Sequence, residues 1–137
     1  MSIPNVARQY PLSVFLDIDF NDIVVHATAY TLCELPQGSV IIRGAVYVVT
    51  AFVDNGVFDT NFGDVTDPNR YSQTIVEIDA TGSPTNDFTP DGYKTTASEP
   101  ALTTTAVFGT TTDTPSAGAF RLVFEYVTSG RNNENLG

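Results

Sequence analysis

Tryptophan is absent from this chain of 137 residues, and cysteine, methionine and histidine occur once each. A lone Cys33 excludes an internal disulfide. Its apolar-leaning neighbours suit a buried, inert thiol. One His and one Cys cannot supply the usual four ligands of a zinc site. A Ser-His-Asp or Cys-His centre would need His26 as its base, and the order Asp22, His26, Cys33 invites that reading. On one continuous strand, however, His26 and Cys33 lie an odd number of positions apart and face opposite sides. No enzyme activity is expected, and no cofactor.

Positive charge is equally scarce. Six Lys and Arg stand against 16 Asp and Glu, for a net charge of −10. Such a chain is repelled by phosphate backbones, so nucleic acid is not an expected partner. A basic amphipathic segment for a membrane surface is missing. No run reaches the roughly 20 apolar residues that span a bilayer. Residues 1–8 show neither the positive start nor the apolar run of a secretory signal, so synthesis in a cytoplasm is expected. The acidity serves solubility, or, on a sharper reading, complements a basic partner surface or cations.

What the chain has is strand grammar. Phe120, Leu122, Phe124 and Tyr126 alternate with Arg121, Val123 and Glu125. This period of two marks a strand with one buried face. Leu16, Ile18 and Phe20 alternate with Asp17 and Asp19 over 12–20, and 71–78 alternates in the same way. Residues 23–35 read as one long strand with a kink. Val40–Phe52 reads as another, in which Gly44 signals a bulge or a close backbone approach. Asn55-Gly56 suits a type I′ hairpin returning Val57–Phe62 onto that strand. Short strands are expected at 93–97 and 102–108, and a polar loop at 81–92 around Phe88.

About eight strands with long connections predict an all-β fold: one antiparallel β-sandwich over residues 1–137, of jelly-roll type. An immunoglobulin-like sandwich is the alternative, without the Cys…Trp…Cys signature. Residues 1–11 form an N-terminal arm and 128–137 a C-terminal tail, each too polar to fold alone. The expected core is Leu16, Ile18, Phe20, Val46, Val48, Ile75, Phe120, Leu122, Phe124 and Tyr126.

The stretch 59–70 gathers Asp59, Asn61, Asp64 and Asp67, oxygen ligands of the kind Ca²⁺ takes. It departs from the EF-hand loop, with Gly63 at the fifth place and Arg70 at the twelfth. Turn chemistry explains the same residues, and Asp67-Pro68-Asn69 reads as a turn that aims Arg70 and Tyr71. Paired carboxylates for glycoside hydrolysis are not singled out by any spacing.

Three passages carry a resemblance. They are Pro36-Gln37-Gly38-Ser39 running into the strand that ends Thr50-Ala51-Phe52; Asn61-Phe62-Gly63-Asp64 with Asp67-Pro68-Asn69-Arg70-Tyr71; and Phe124-Glu125-Tyr126-Val127 with Gly130-Arg131-Asn132-Asn133-Glu134-Asn135. Together they resemble the small acidic capsid decoration, or cement, proteins of short-tailed phages. The resemblance implies a jelly roll on the virion surface that glues major capsid subunits from outside, without enzyme activity or cofactor. The expectation is a cement protein working as a small homo-oligomer, dimer or trimer. Arg8, Tyr10, Arg70, Arg131 and Asn132 are the expected partner contacts. Alternatives are a tail accessory or carbohydrate- or receptor-binding jelly roll and, last, a hydrolase on a β-sandwich.

Overall fold

A computed structural model describes residues 9–53, 59–72, 76–77, 82–85, 88–97, 101–107 and 114–129. Among these every regular element is a strand: β1 (Leu12–Asp19), β2 (Ala29–Glu34), β3 (Ser39–Val53), β4 (Asp59–Gly63), β5 (Val76–Glu77), β6 (Gly82–Thr85), β7 (Ala101–Val107) and β8 (Ala117–Thr128). They form two four-stranded antiparallel sheets, β1-β8-β3-β6 (sheet A) and β2-β7-β4-β5 (sheet B). Each strand pairs with its counterpart from the other end of the chain: β1 with β8, β2 with β7, β3 with β6, β4 with β5. Two further pairings, β3–β8 and β4–β7, join these ribbons within each sheet.

The alternation read from the sequence sets the register of sheet A. Ile18 lies opposite Phe120, Leu16 opposite Leu122 and Val14 opposite Phe124. On the other side of β8, Val46 meets Leu122 and Val48 meets Phe120. These side chains turn towards sheet B. Ile18, Val46, Val48, Phe120, Leu122 and Phe124 are buried, while Leu16, Phe20 and Tyr126 pack against them half-buried. The expected core position Ile75 lies outside the described residues.

Aromatic rings link the two layers. Phe62 of β4 meets Phe120 edge-on at 5.8 Å between centroids and Phe88 at 5.7 Å. Phe88 also stacks between Tyr71 (6.3 Å) and Phe124 (6.2 Å). The polar segment expected to be a loop around Phe88 thus plugs the core with its one aromatic side chain. Gly44 makes room for it: a Cβ there would lie 2.5 Å from the Phe88 ring. The close approach expected at Gly44 is the observed one, and a bulge falls beside it between Ile41 and Arg43.

Several expectations are corrected. β4 pairs with β7 and β5 rather than back onto β3, so the chain changes sheets where a hairpin was expected; Asn55-Gly56 itself lies outside the described residues. The strand expected over 23–35 is regular only over Ala29–Glu34, because Ala27 adopts a positive φ of 53° in the loop before it. Its parity argument for His26 and Cys33 therefore does not apply. Among the described residues of 71–78, Val76–Glu77 are strand and Tyr71 sits in a turn. The strand expected at 93–97 is a single bridge between Lys94 and Val40. Gly82–Thr85, expected as loop, is β6.

Within the expected arm 1–11, Gln9 is tied to the sandwich. Gln9 clips its side-chain amide onto the end of β8, donating to the Thr128 carbonyl (2.6 Å) and accepting from its N–H (2.9 Å).

Candidate functional site

The acidic stretch after β4 is a closed loop. Gly63 brings two backbone segments together, since a Cβ there would lie 2.1 Å from the Asp67 carbonyl oxygen. Asp64 is buried, and its Oδ1 accepts the N–H groups of Thr66 (3.0 Å) and Asp67 (2.7 Å). Its Oδ2 takes the Arg70 Nε–H in an ion pair. Arg70 then lies over the Tyr93 ring, 3.6 Å from its centroid. Ser72 accepts the Phe62 N–H at 2.8 Å, and the Tyr71 N–H returns to the Phe62 carbonyl at 2.9 Å.

This geometry spends the Asp64 carboxylate on donors. A buried carboxylate with a cationic partner and two amides is satisfied without a metal. Asp59 and Asn61 lie on β4, and among the described residues no group of three or more His, Cys, Asp or Glu is placed to hold an ion. Turn chemistry is what the structure displays here. Burial pushes the neighbouring Tyr71 phenol up to about 12, with the Asp64 charge acting in the same direction.

His26 sits half-buried in the loop before β2, where its carbonyl accepts the Thr28 hydroxyl at 3.3 Å. Cys33 is half-buried in β2, and desolvation pushes its thiol up to about 11, which keeps it protonated and unreactive at neutral pH. No helix among the described residues is long and apolar enough to cross a membrane.

The expected partner contacts fare unequally. Arg8, Arg131 and Asn132 lie outside the described residues. Tyr10 is exposed at the root of the N-terminal segment. Arg70 keeps its guanidinium within its own loop, with only 16% of its side chain exposed.

Sequence reasoning passed over the outer face of sheet A. Phe15, Tyr47, Val49 and Val53 are exposed there beside two cross-strand ion pairs, Arg43–Glu125 and Arg121–Asp17 (2.8 Å). The signal was present: Phe15 interrupts the polar side of β1, and Tyr47 and Val49 that of β3.

No family model and no curated protein matches the chain. Two solved structures do. One, described as the cyanophage Pam1 capsid asymmetric unit, contains a chain with 16% identity and a TM-score of 0.59, the match covering 92% of each chain. The other, the capsid of Ralstonia phage GP4, matches at 16% identity and a TM-score of 0.50, over 97% of this chain and 91% of that one. At this identity the likeness is one of fold, and it extends over nearly the whole length.

Proposed function

We propose that this chain is a structural protein of a tailed-phage virion, a decoration protein that binds the outside of the capsid shell and braces contacts between major capsid subunits. The observation that carries the proposal is the full-length fold match to chains of two phage capsids, Pam1 and GP4. The resemblance of 36–52, 61–71 and 124–135 to passages of decoration proteins agrees with this reading. We infer further that the sandwich is a jelly roll. Its pairings of β1 with β8, β2 with β7, β3 with β6 and β4 with β5 are those of one long antiparallel ribbon wound into two sheets.

The role is non-enzymatic: affinity for an assembled shell over its separated parts stabilises the assembled state by mass action. Acidic surface meets basic capsid residues, and the terminal segments around Arg8, Tyr10, Arg131 and Asn132 lie across a neighbour. The chain acts as a small homo-oligomer on the capsid surface. A sugar-binding role would call for open aromatic platforms. Phe15, the most exposed of the described phenylalanines, has the Arg121 guanidinium 4.7 Å above its ring centroid instead.

Electron microscopy of the particle that carries the chain tests the proposal. Density for the sandwich on the outer shell surface, touching more than one capsid subunit, is expected. Density in the tail or inside the head removes it.

A further inference from the structure

The outer face of sheet A includes three successive rows read across β1, β8 and β3, Ser13–Glu125–Arg43, Phe15–Val123–Ala45 and Asp17–Arg121–Tyr47, with Asp19–Ala119–Thr50 beyond them. The middle row is apolar, and Phe15 in it is 58% exposed. The flanking rows hold two acids and two arginines, each acid in an ion pair with an arginine on the adjacent strand. These four charges cancel, so the net charge of −10 arises elsewhere in the chain. For a molecule this acidic, an apolar row whose flanking charges cancel is where a second copy can approach with least repulsion, with exposed Asp19 one row beyond it.

The pattern of the rows is self-complementary in one orientation. Consider two faces stacked about a two-fold axis that lies along the middle row, across the strands. The central row then meets itself, Phe15 on the partner's Phe15 and Val123 on the partner's Val123. Glu125 meets the partner's Arg121, and Arg121 meets the partner's Glu125. Arg43 meets the ring of the partner's Tyr47, a cation–π arrangement. Exposed Ile42, in the bulge of β3, comes opposite the partner's exposed Val49. A two-fold axis along the strands would set Glu125 against Glu125 and Arg121 against Arg121. The usual crossing of stacked sheets by about 30° displaces a charged position by only about 3 Å at one strand repeat from the axis, within reach of Arg and Glu side chains.

We propose that this face is an isologous interface that pairs two copies of the chain, with the Phe15–Val123–Ala45 row on its two-fold axis. Residue placement and charge favour this pairing whether or not the chain decorates a capsid. Cross-copy contact of an apolar row flanked by complementary charge gives both affinity and a single register.

Sedimentation velocity on the full-length chain over a range of concentrations is the test. The wild type is expected to be a concentration-dependent dimer. Phe15→Glu should weaken it by about tenfold or more while circular dichroism stays unchanged. Glu125→Arg and Arg121→Glu should each be monomeric alone, because each sets like charges together twice. Mixed in equal amounts they should dimerise again, since every 121–125 contact then joins opposite charges. A wild type that stays monomeric up to about 1 mM overturns the proposal. So does a trimer, a dimer that Phe15→Glu leaves intact, or a mixture that fails to recover.

Discussion

The two sheets of this sandwich are built on different physics. Sheet A joins the short β6 to three long strands, 8, 15 and 12 residues in β1, β3 and β8, whose inner faces carry Val14, Leu16, Ile18, Val46, Val48, Phe120, Leu122 and Phe124. The described strands of sheet B run to 6, 5, 2 and 7 residues. Its inner layer is partly threonine: Thr60 and Thr104 are buried there beside Phe62, with their hydroxyls 2.5 Å apart. Apolar pairs close the inner face of sheet A, whereas sheet B also has buried hydroxyls to satisfy. Sheet A is the frame, and sheet B is held to it through Phe62, Tyr71 and Phe88.

Four substitutions and one titration probe this division. Phe124→Ala, at the centre of the frame and against Phe88, should cost about 3–5 kcal/mol in denaturant melts. A loss below about 1 kcal/mol would mean that the frame does not depend on this face. Asp64→Ala removes the acceptor of two amides and of Arg70 beneath sheet B, and should cost about 2–3 kcal/mol. Gly44→Ala drives a methyl into the Phe88 ring and should cost about 1–3 kcal/mol, with looser amide exchange in β4.

Alkali acts on the sheet B side. Cys33 and Tyr71 both ionise later in the folded chain, at about 11 and about 12, than their ordinary values of 9.0 and 10.0. The unfolded chain therefore loses these protons first. Stability from both groups is fully present below about pH 9 and falls as pH rises towards 12. Melting curves from pH 7 to 11 should show this decline, with Cys33 labelled by iodoacetamide at pH 8.5 far more slowly than a free thiol. Arg43→Ala, on the exposed face of sheet A, should change monomer stability least, by less than about 1 kcal/mol.

The same contrast explains what the sequence disclosed. β1 and β8 alternate over 16–20 and 120–126, and β3 is a long β-branched run, so these three strands were legible, while β6 of the same sheet read as loop. Sheet B was legible only in part, with β7 where a strand was expected at 102–108. Thr103-Thr104-Thr105 has no hydrophobic period, although Thr103 and Thr104 are buried. Asn55-Gly56 favours a hairpin locally, yet Phe62 lies opposite Thr104 because it fills the core from the second sheet. Phe88 stands alone in a polar segment, and only Gly44, far away in sequence, hints at the ring it admits. The Asp59–Arg70 stretch showed its ligand-like residues plainly, but which carboxylate turns inward depends on the Gly63 contact with Asp67. Phe15 on the outer face was visible as a break in the polar side of β1, and its meaning needs the neighbouring strands.

The proposed role meets its most direct test in shells assembled without the chain. Purified full-length protein is added to such shells, and binding is measured by co-sedimentation. The account predicts saturable binding at a fixed ratio to capsid subunits, association that slows as salt rises, and bound shells that withstand more heat than bare ones. Removing residues 1–8 and 130–137, which leaves the Gln9–Thr128 clip in place, should weaken binding without lowering the melting temperature of the separated protein. Protein that stays in the supernatant at every concentration, with shells no more stable for its presence, would contradict the account.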